Sequence, residues 1–183
     1  MKHSSISTRL TSFVLASAVL LSQLVLQIPT ASAAQITSRS LTLQSGGTDG
    51  GSKPGGSVRH LFGLTLPGGG NVGSIKFEYC TTAAGSCTMP TGLVTTSATL
   101  GAETGATGFS MVNTTNGAPY LTRASAAVGA TTAVTYRIDT VTNPTTTNQT
   151  FYVRVTTYAS TDTTGGSSDA GVVAASTATQ IIL

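Results

Sequence analysis

Apolar and polar residues alternate with a period of two along several windows, the pattern of half-buried β-strands. Val58, His60, Phe62, Leu64 and Leu66 fall on one face, with Arg59, Gly63 and Thr65 on the other. Ile75, Phe77 and Tyr79 alternate with Lys76, Glu78 and Cys80, and Val134, Tyr136 and Ile138 with Thr135, Arg137 and Asp139. Phe151, Val153 and Val155 alternate with Tyr152, Arg154 and Thr156. Weaker strand candidates are Ile36–Leu43, Leu93–Leu100, Phe109–Val112 and Ala175–Leu183. Between them lie turn signals: Gly46–Gly51, Pro67–Asn71, Asn116-Gly117 and Asn143-Pro144. Glycine supplies positive φ, and Asn-Gly favours a type I′ turn. Thr145–Thr147 and Asp162–Asp169 read as loops, and no window of the mature chain has a helical period. The pattern predicts an all-β fold of seven to nine short strands, a single antiparallel β-sandwich. Its predicted core is Phe62, Leu64, Ile75, Phe77, Val134, Tyr136, Ile138, Phe151, Val153 and Val155.

The first residues follow a different rule. Lys2, His3 and Arg9 precede the apolar run Phe13–Ile28, and Ala31-Ser32-Ala33 then gives the small-x-small pattern that signal peptidase reads. This predicts a helical signal peptide over 1–33 and a mature β-sandwich domain over 34–183. Four polar side chains interrupt the run, which falls short of the roughly 20 apolar residues of a spanning helix. Membrane contact would come only through an uncleaved leader.

Cleavage changes the charge balance. The whole chain of 183 residues carries +3, but the mature part keeps seven basic and six acidic side chains. Arg39, Lys53, Arg59, Lys76, Arg123, Arg137 and Arg154 stand singly, without the clustering that nucleic acid or anionic lipid requires. Only 8% of residues are charged, against roughly 25% in ordinary domains. Thr (35) and Ser (21) supply the polar surface instead, and threonine's branched β-carbon suits pleated positions.

Little is left for catalysis. His60 is the one histidine after processing, and its place beside Phe62 and Leu64 marks it as a packed or rim imidazole rather than a general base. No Gly-x-Ser-x-Gly elbow singles out a nucleophile, and the two glutamates, Glu78 and Glu103, do not form an obvious facing pair. The reading is therefore no enzyme, no cofactor and no metal. Asp49, and Asp162 with Asp169, offer too few carboxylates per loop for a persuasive calcium site. Asn113-Thr114-Thr115 and Asn148-Gln149-Thr150 match the N-glycosylation sequon, which so many threonines also produce by chance.

Cys80 and Cys87 are the only cysteines, separated by Thr-Thr-Ala-Ala-Gly-Ser. An even count in an exported chain favours pairing, and the spacing is not the Cys-x-x-Cys of redox enzymes. Zinc would need two further ligands. A Cys80–Cys87 disulfide is expected.

The segments Thr48–Gly56, Gly73–Cys87, Asn113–Arg123 and Phe151–Asp162 together resemble secreted, Thr-rich, uncharacterised surface-type proteins of reduced-genome, Saccharibacteria-like candidate-phylum bacteria. The resemblance implies secretion or surface display and transfers no site residue. Phe151–Thr157 (FYVRVTT) also resembles the strand before the last in fibronectin type III and immunoglobulin-like modules, which implies an immunoglobulin-like sandwich. Two functions fit. The first is a secreted or cell-surface structural or assembly protein, whose edge segments Ala34–Leu43 or Ala175–Leu183 associate with copies or with cell-surface components. The second is an extracellular binding module, an adhesin or carbohydrate-binding domain using Tyr79, Tyr120, Tyr152 or Tyr158.

Overall fold

A computed structural model of the chain describes residues 33–179, so the expected signal peptide apart from Ala33, and the terminal Gln180–Leu183, lie outside the described residues. Ten strands follow in order: β1 (Ala34–Gln35), β2 (Thr37–Ser45), β3 (Ser57–Leu66), β4 (Gly70–Cys80), β5 (Thr99–Thr104), β6 (Ser110–Val112), β7 (Tyr120–Val128), β8 (Thr132–Thr142), β9 (Thr150–Tyr158) and β10 (Ser167–Ser176). They build a β-sandwich of two sheets, β1-β10-β9-β4-β7-β6 and β2-β3-β8-β5. No helix occurs among the described residues.

The smaller sheet and the β10-β9-β4 part of the larger one repeat the strand layout of immunoglobulin-like sandwiches. β9, which contains the FYVRVTT segment, is the strand before the last described one and lies between β10 and β4. β7 and β6 extend the sheet beyond β4. All pairings are antiparallel except one: β1 runs parallel to β10, with Ala34 opposite Asp169 and Gln35 opposite Ala170. After Ile36 the chain crosses to the other sheet and pairs with β3 as β2.

All ten residues of the expected core are buried. Phe62 and Phe77 meet across the sheets with ring centroids 4.6 Å apart, and Phe77, Tyr136 and Phe109 continue the aromatic chain edge to face. Such geometries suit the quadrupoles of the rings and add to the stabilisation from burial. Tyr136 donates its hydroxyl to the Ala106 carbonyl at 3.0 Å, so its polar tip is satisfied inside the core.

Four expectations need correction. Tyr120–Val128, unmarked in the hydropathy pattern, is a full strand, because pairing with β4 supports a segment made mostly of Ala, Ser and Thr. Leu93–Leu100 is largely a loop anchored by the Val94–Thr142 bridge, and its strand begins only at Thr99. β10 starts at Ser167, so the end of the supposed Asp162–Asp169 loop is strand and the supposed terminal strand is displaced towards the N-terminus. The Asn116-Gly117 turn also differs from type I′. Gly117 has φ 77° and Asn116 is not in the left-handed region, so the Thr115–Ala118 reversal belongs to the type II class.

Strict alternation breaks at one consequential place. Between the pairs Val58↔Val141 and His60↔Ile138, β8 carries one residue more than β3, and Thr140 takes φ 61°. This β-bulge switches the inward phase of β8 from Val134, Tyr136 and Ile138 to Val141 and Asn143, all buried.

Candidate functional site

The bulge delivers Asn143 to His60. The Asn143 side-chain amide donates to the Gly51 carbonyl at 2.9 Å and to the Lys53 carbonyl at 3.0 Å, leaving its Oδ1 as an acceptor 3.0 Å from His60 Nε2. His60 Nε2 therefore carries the proton, and Nδ1 accepts from the Tyr79 hydroxyl at 2.9 Å. His60 and Asn143 are fully buried and Tyr79 almost so. Burial lowers the His60 pKa to about 4, opposed in part by the bond to Asn143, and pushes the Tyr79 hydroxyl well above its ordinary value. Both ring nitrogens are in use, so this is a neutral core imidazole tying β3, β4 and the Gly46–Gly56 connection together. Sequence placed His60 on the correct face but gave no sign of Asn143, which strict alternation turns outward.

The disulfide expected between Cys80 and Cys87 is present. Glu78 lies next to the two sulfurs, but sulfurs bonded to one another present no thiolate for a metal. The loop they close lies against β9. Arg154 donates to the Gly85 carbonyl at 2.8 Å and to the Thr82 carbonyl at 3.1 Å. Replacing both cysteines with serine should lower the unfolding free energy by about 2–3 kcal/mol, the chain entropy released by opening so short a loop. Urea unfolding of the double variant measures this, and an unchanged midpoint would contradict it.

The acidic loop residues are occupied locally. Asp49 accepts from Lys53 at 2.6 Å and from the Ser57 amide at 3.2 Å, and the Lys53 bond is the main reason its carboxyl titrates below the usual range. Asp162 accepts from the hydroxyl and amide of Thr164, which lower its pKa in the same way. Asp169 does not bracket that loop from the other side. It faces inward from β10, where its Oδ2 accepts from Thr157 at 3.1 Å and its amide donates to the Thr157 hydroxyl. Its Oδ1 is buried without a hydrogen-bond partner among the described residues. That carboxylate borders a recess of about 160 Å³ shared with Gly68, Gly69, Asn71 and Val128. Of the sequon asparagines, Asn148 is exposed, whereas Asn113 donates to the Ala98 carbonyl at 2.9 Å.

Among the tyrosines proposed as a binding surface, Tyr79 is withdrawn into the core. Tyr120, Tyr152 and Tyr158 are partly exposed on the outer face of the larger sheet, spread over β7 and both ends of β9. Tyr152 and Tyr158 stand six residues apart on one strand, about 20 Å, so they form no common platform.

The described parts of the segments suggested as donor strands are already used. Ala34–Leu43 supplies β1 and most of β2. Ala175 and Ser176 pair with Phe151 and Thr150, and Thr177 is buried against Gln149. What remains open is the far side of β10. β1 covers only Asp169 and Ala170, and from Gly171 to Ser176 the strand has no second ladder partner among the described residues. The Ile36 amide donates to the Ala170 carbonyl at 2.7 Å, so by alternation Val172, Ala174 and Ser176 turn their backbone groups outward as well. This six-residue segment (GVVAAS) contains no charge.

No protein-family model and no curated protein matches the chain. Among solved structures it is similar to the crystal structure of BslA, described as a bacterial hydrophobin, with a TM-score of 0.47 and 13% identity over 82% of this chain and 99% of that one. No helix among the described residues is long and apolar enough to cross a membrane.

Proposed function

We propose that the protein is an exported structural subunit that assembles with copies of itself at the open edge of β10. The observation that carries this reading is the uncharged Val172–Ser176 edge, beyond the point where Arg39 lies against Gly171, whose outward amides and carbonyls can continue a sheet. Natural edge strands are usually blunted by charge, proline, bulges or a covering segment. The other edges of this sandwich carry such devices. β2 has Arg39 and a bulge at Ser38 (φ 44°), β5 has Glu103 and a register shift at Leu100/Ala102, β6 is three residues long, and β7 beyond it has a register shift opposite Val72/Ser74 with Arg123 donating to the Ala126 carbonyl. Strand addition gives affinity through main-chain hydrogen bonds and needs no pocket.

The test is sedimentation of the mature chain over rising concentration, beside Ala174→Lys and Ala174→Pro. Ala174 is exposed, and its amide points away from β9, so proline removes an outward donor and spares the native ladder. Wild type is expected to form oligomers that both variants abolish with little change in melting temperature. A strictly monomeric wild type at millimolar concentration would defeat the proposal.

A further inference from the structure

The one buried carboxylate oxygen without a partner lies beside the point where the leader is expected to be removed. Asp169 is 3% exposed, and its Oδ1 has no hydrogen-bond partner among the described residues. A lone carboxylate oxygen in such a place is costly unless a cation or donor reaches it. The turn between β3 and β4 is shaped around it, since a Cβ at Gly68 would collide with Asp169 Oδ1. Directly opposite Asp169 in the parallel ladder stands Ala34. In a parallel pair, register partners face the same side of the sheet, and this side is the interior: Ile36, two residues on, is buried and packs against Gly171.

We infer that processing after Ala33 completes an internal ion pair, in which the new α-ammonium of Ala34 docks against the free oxygen of Asp169. Signal peptidase adds one water across the Ala33–Ala34 amide and breaks its C–N bond. Ala33 leaves with a carboxylate, and the Ala34 amine takes up a proton. One peptide N–H becomes three donors and a positive charge, one bond from a Cα that faces Asp169 across a strand spacing of about 4.8 Å. The uncleaved chain holds the carboxylate without this partner, so removal of the leader itself tightens the fold at the junction of β1, β10 and the Gly68 turn. The inference rests on cleavage after Ala33 and is independent of self-assembly.

Thermal unfolding of four proteins tests it: the mature chain beginning at Ala34, the same chain beginning Met-Ser32-Ala33, and Asp169→Asn in each background. Asparagine keeps an acceptor for Thr157 and removes the charge. The mature wild type is expected to melt on the order of 5 °C above the extended form, and Asp169→Asn to remove most of that difference. Equal melting temperatures for the two starts, or an equal loss from Asp169→Asn in both, would overturn the ion pair. A calcium-induced rise that requires Asp169 and is the same for both starts would overturn it in favour of a cation site. If Asp169→Asn does not fold, acetylation of the Ala34 amine in folded wild type decides the matter. Protection relative to the urea-unfolded chain supports the pair, and equal reactivity refutes it.

Discussion

Replacing Asn143 with alanine is expected to lower the free energy of unfolding by roughly 3 kcal/mol, because each buried polar group left unpaired costs about 1–3 kcal/mol. The substitution strands the Nε2–H of His60 and the carbonyls of Gly51 and Lys53, which the Asn143 amide otherwise satisfies. The two carbonyls belong to a connection that water can partly reach, which keeps the sum below the simple total. The backbone amide of Asn143 still donates to Gly56 at 3.0 Å, so the connection stays tethered and the fold survives. Asn113→Ala is the matched control: the same residue type, partly buried, with a single side-chain bond to Ala98. Its cost should be about 1 kcal/mol. Urea denaturation with an unchanged m-value would assign the difference to the native state. A cost for Asn143→Ala no greater than for Asn113→Ala would show that the amide is not the hub.

The second large effect is on acid stability. His60 titrates near 4 in the folded protein because burial disfavours the imidazolium, against about 6.5 in an unfolded chain. Between those values the unfolded state holds one proton more, so stability falls as the pH falls. The contribution is complete above about pH 6.5, declines towards pH 4 and loses nothing further below. At about 1.4 kcal/mol per pH unit the total is roughly 3 kcal/mol. Asp49 and Asp162 also have lowered values, but their contributions fade only below the ordinary carboxylate range, which separates them from the histidine. Unfolding free energies of the mature chain from pH 7 to 4 give the slope directly, and His60→Gln should flatten it. A flat wild-type profile over that window would contradict a neutral, sealed imidazole.

These two residues show where the sequence could be read and where it could not. His60 was placed inside by period-two alternation, which needs only local information, and so were the ten expected core residues, whereas Leu121 and Val141 of the same core were not. Asn143 was missed because a bulge at Thr140 reverses the inward phase, and a polar residue beyond a bulge carries no apolar signature. β7 was missed for a related reason. Its Ala, Ser and Thr residues have small side chains, and the strand is held by pairing with β4, a long-range property. Asp169 looked like a loop residue because Gly-Gly-Ser-Ser precedes it, yet β9 draws it into a strand with its carboxylate inward. The Cys80–Cys87 disulfide was legible because an even count, the spacing and the expectation of export suffice for it. The open edge of β10 was not, since an edge is defined by the strands that are absent beside it.

The bulge at Thr140 has a consequence for how this chain can change over generations. The letter at position 140 is exposed and touches nothing that defines the core, so substitutions there are cheap apart from the left-handed backbone. The number of residues between Ile138 and Val141 is less constrained than it looks. Deleting one would remove the bulge and leave Ile138, Val141 and Asn143 as alternate residues of an ordinary strand, all still facing inward. Homologues can therefore shorten here by one residue and keep the His60–Asn143 pair, trading only the local twist that the bulge gives. Adding one further residue with the bulge in place would turn Val141 and Asn143 outward.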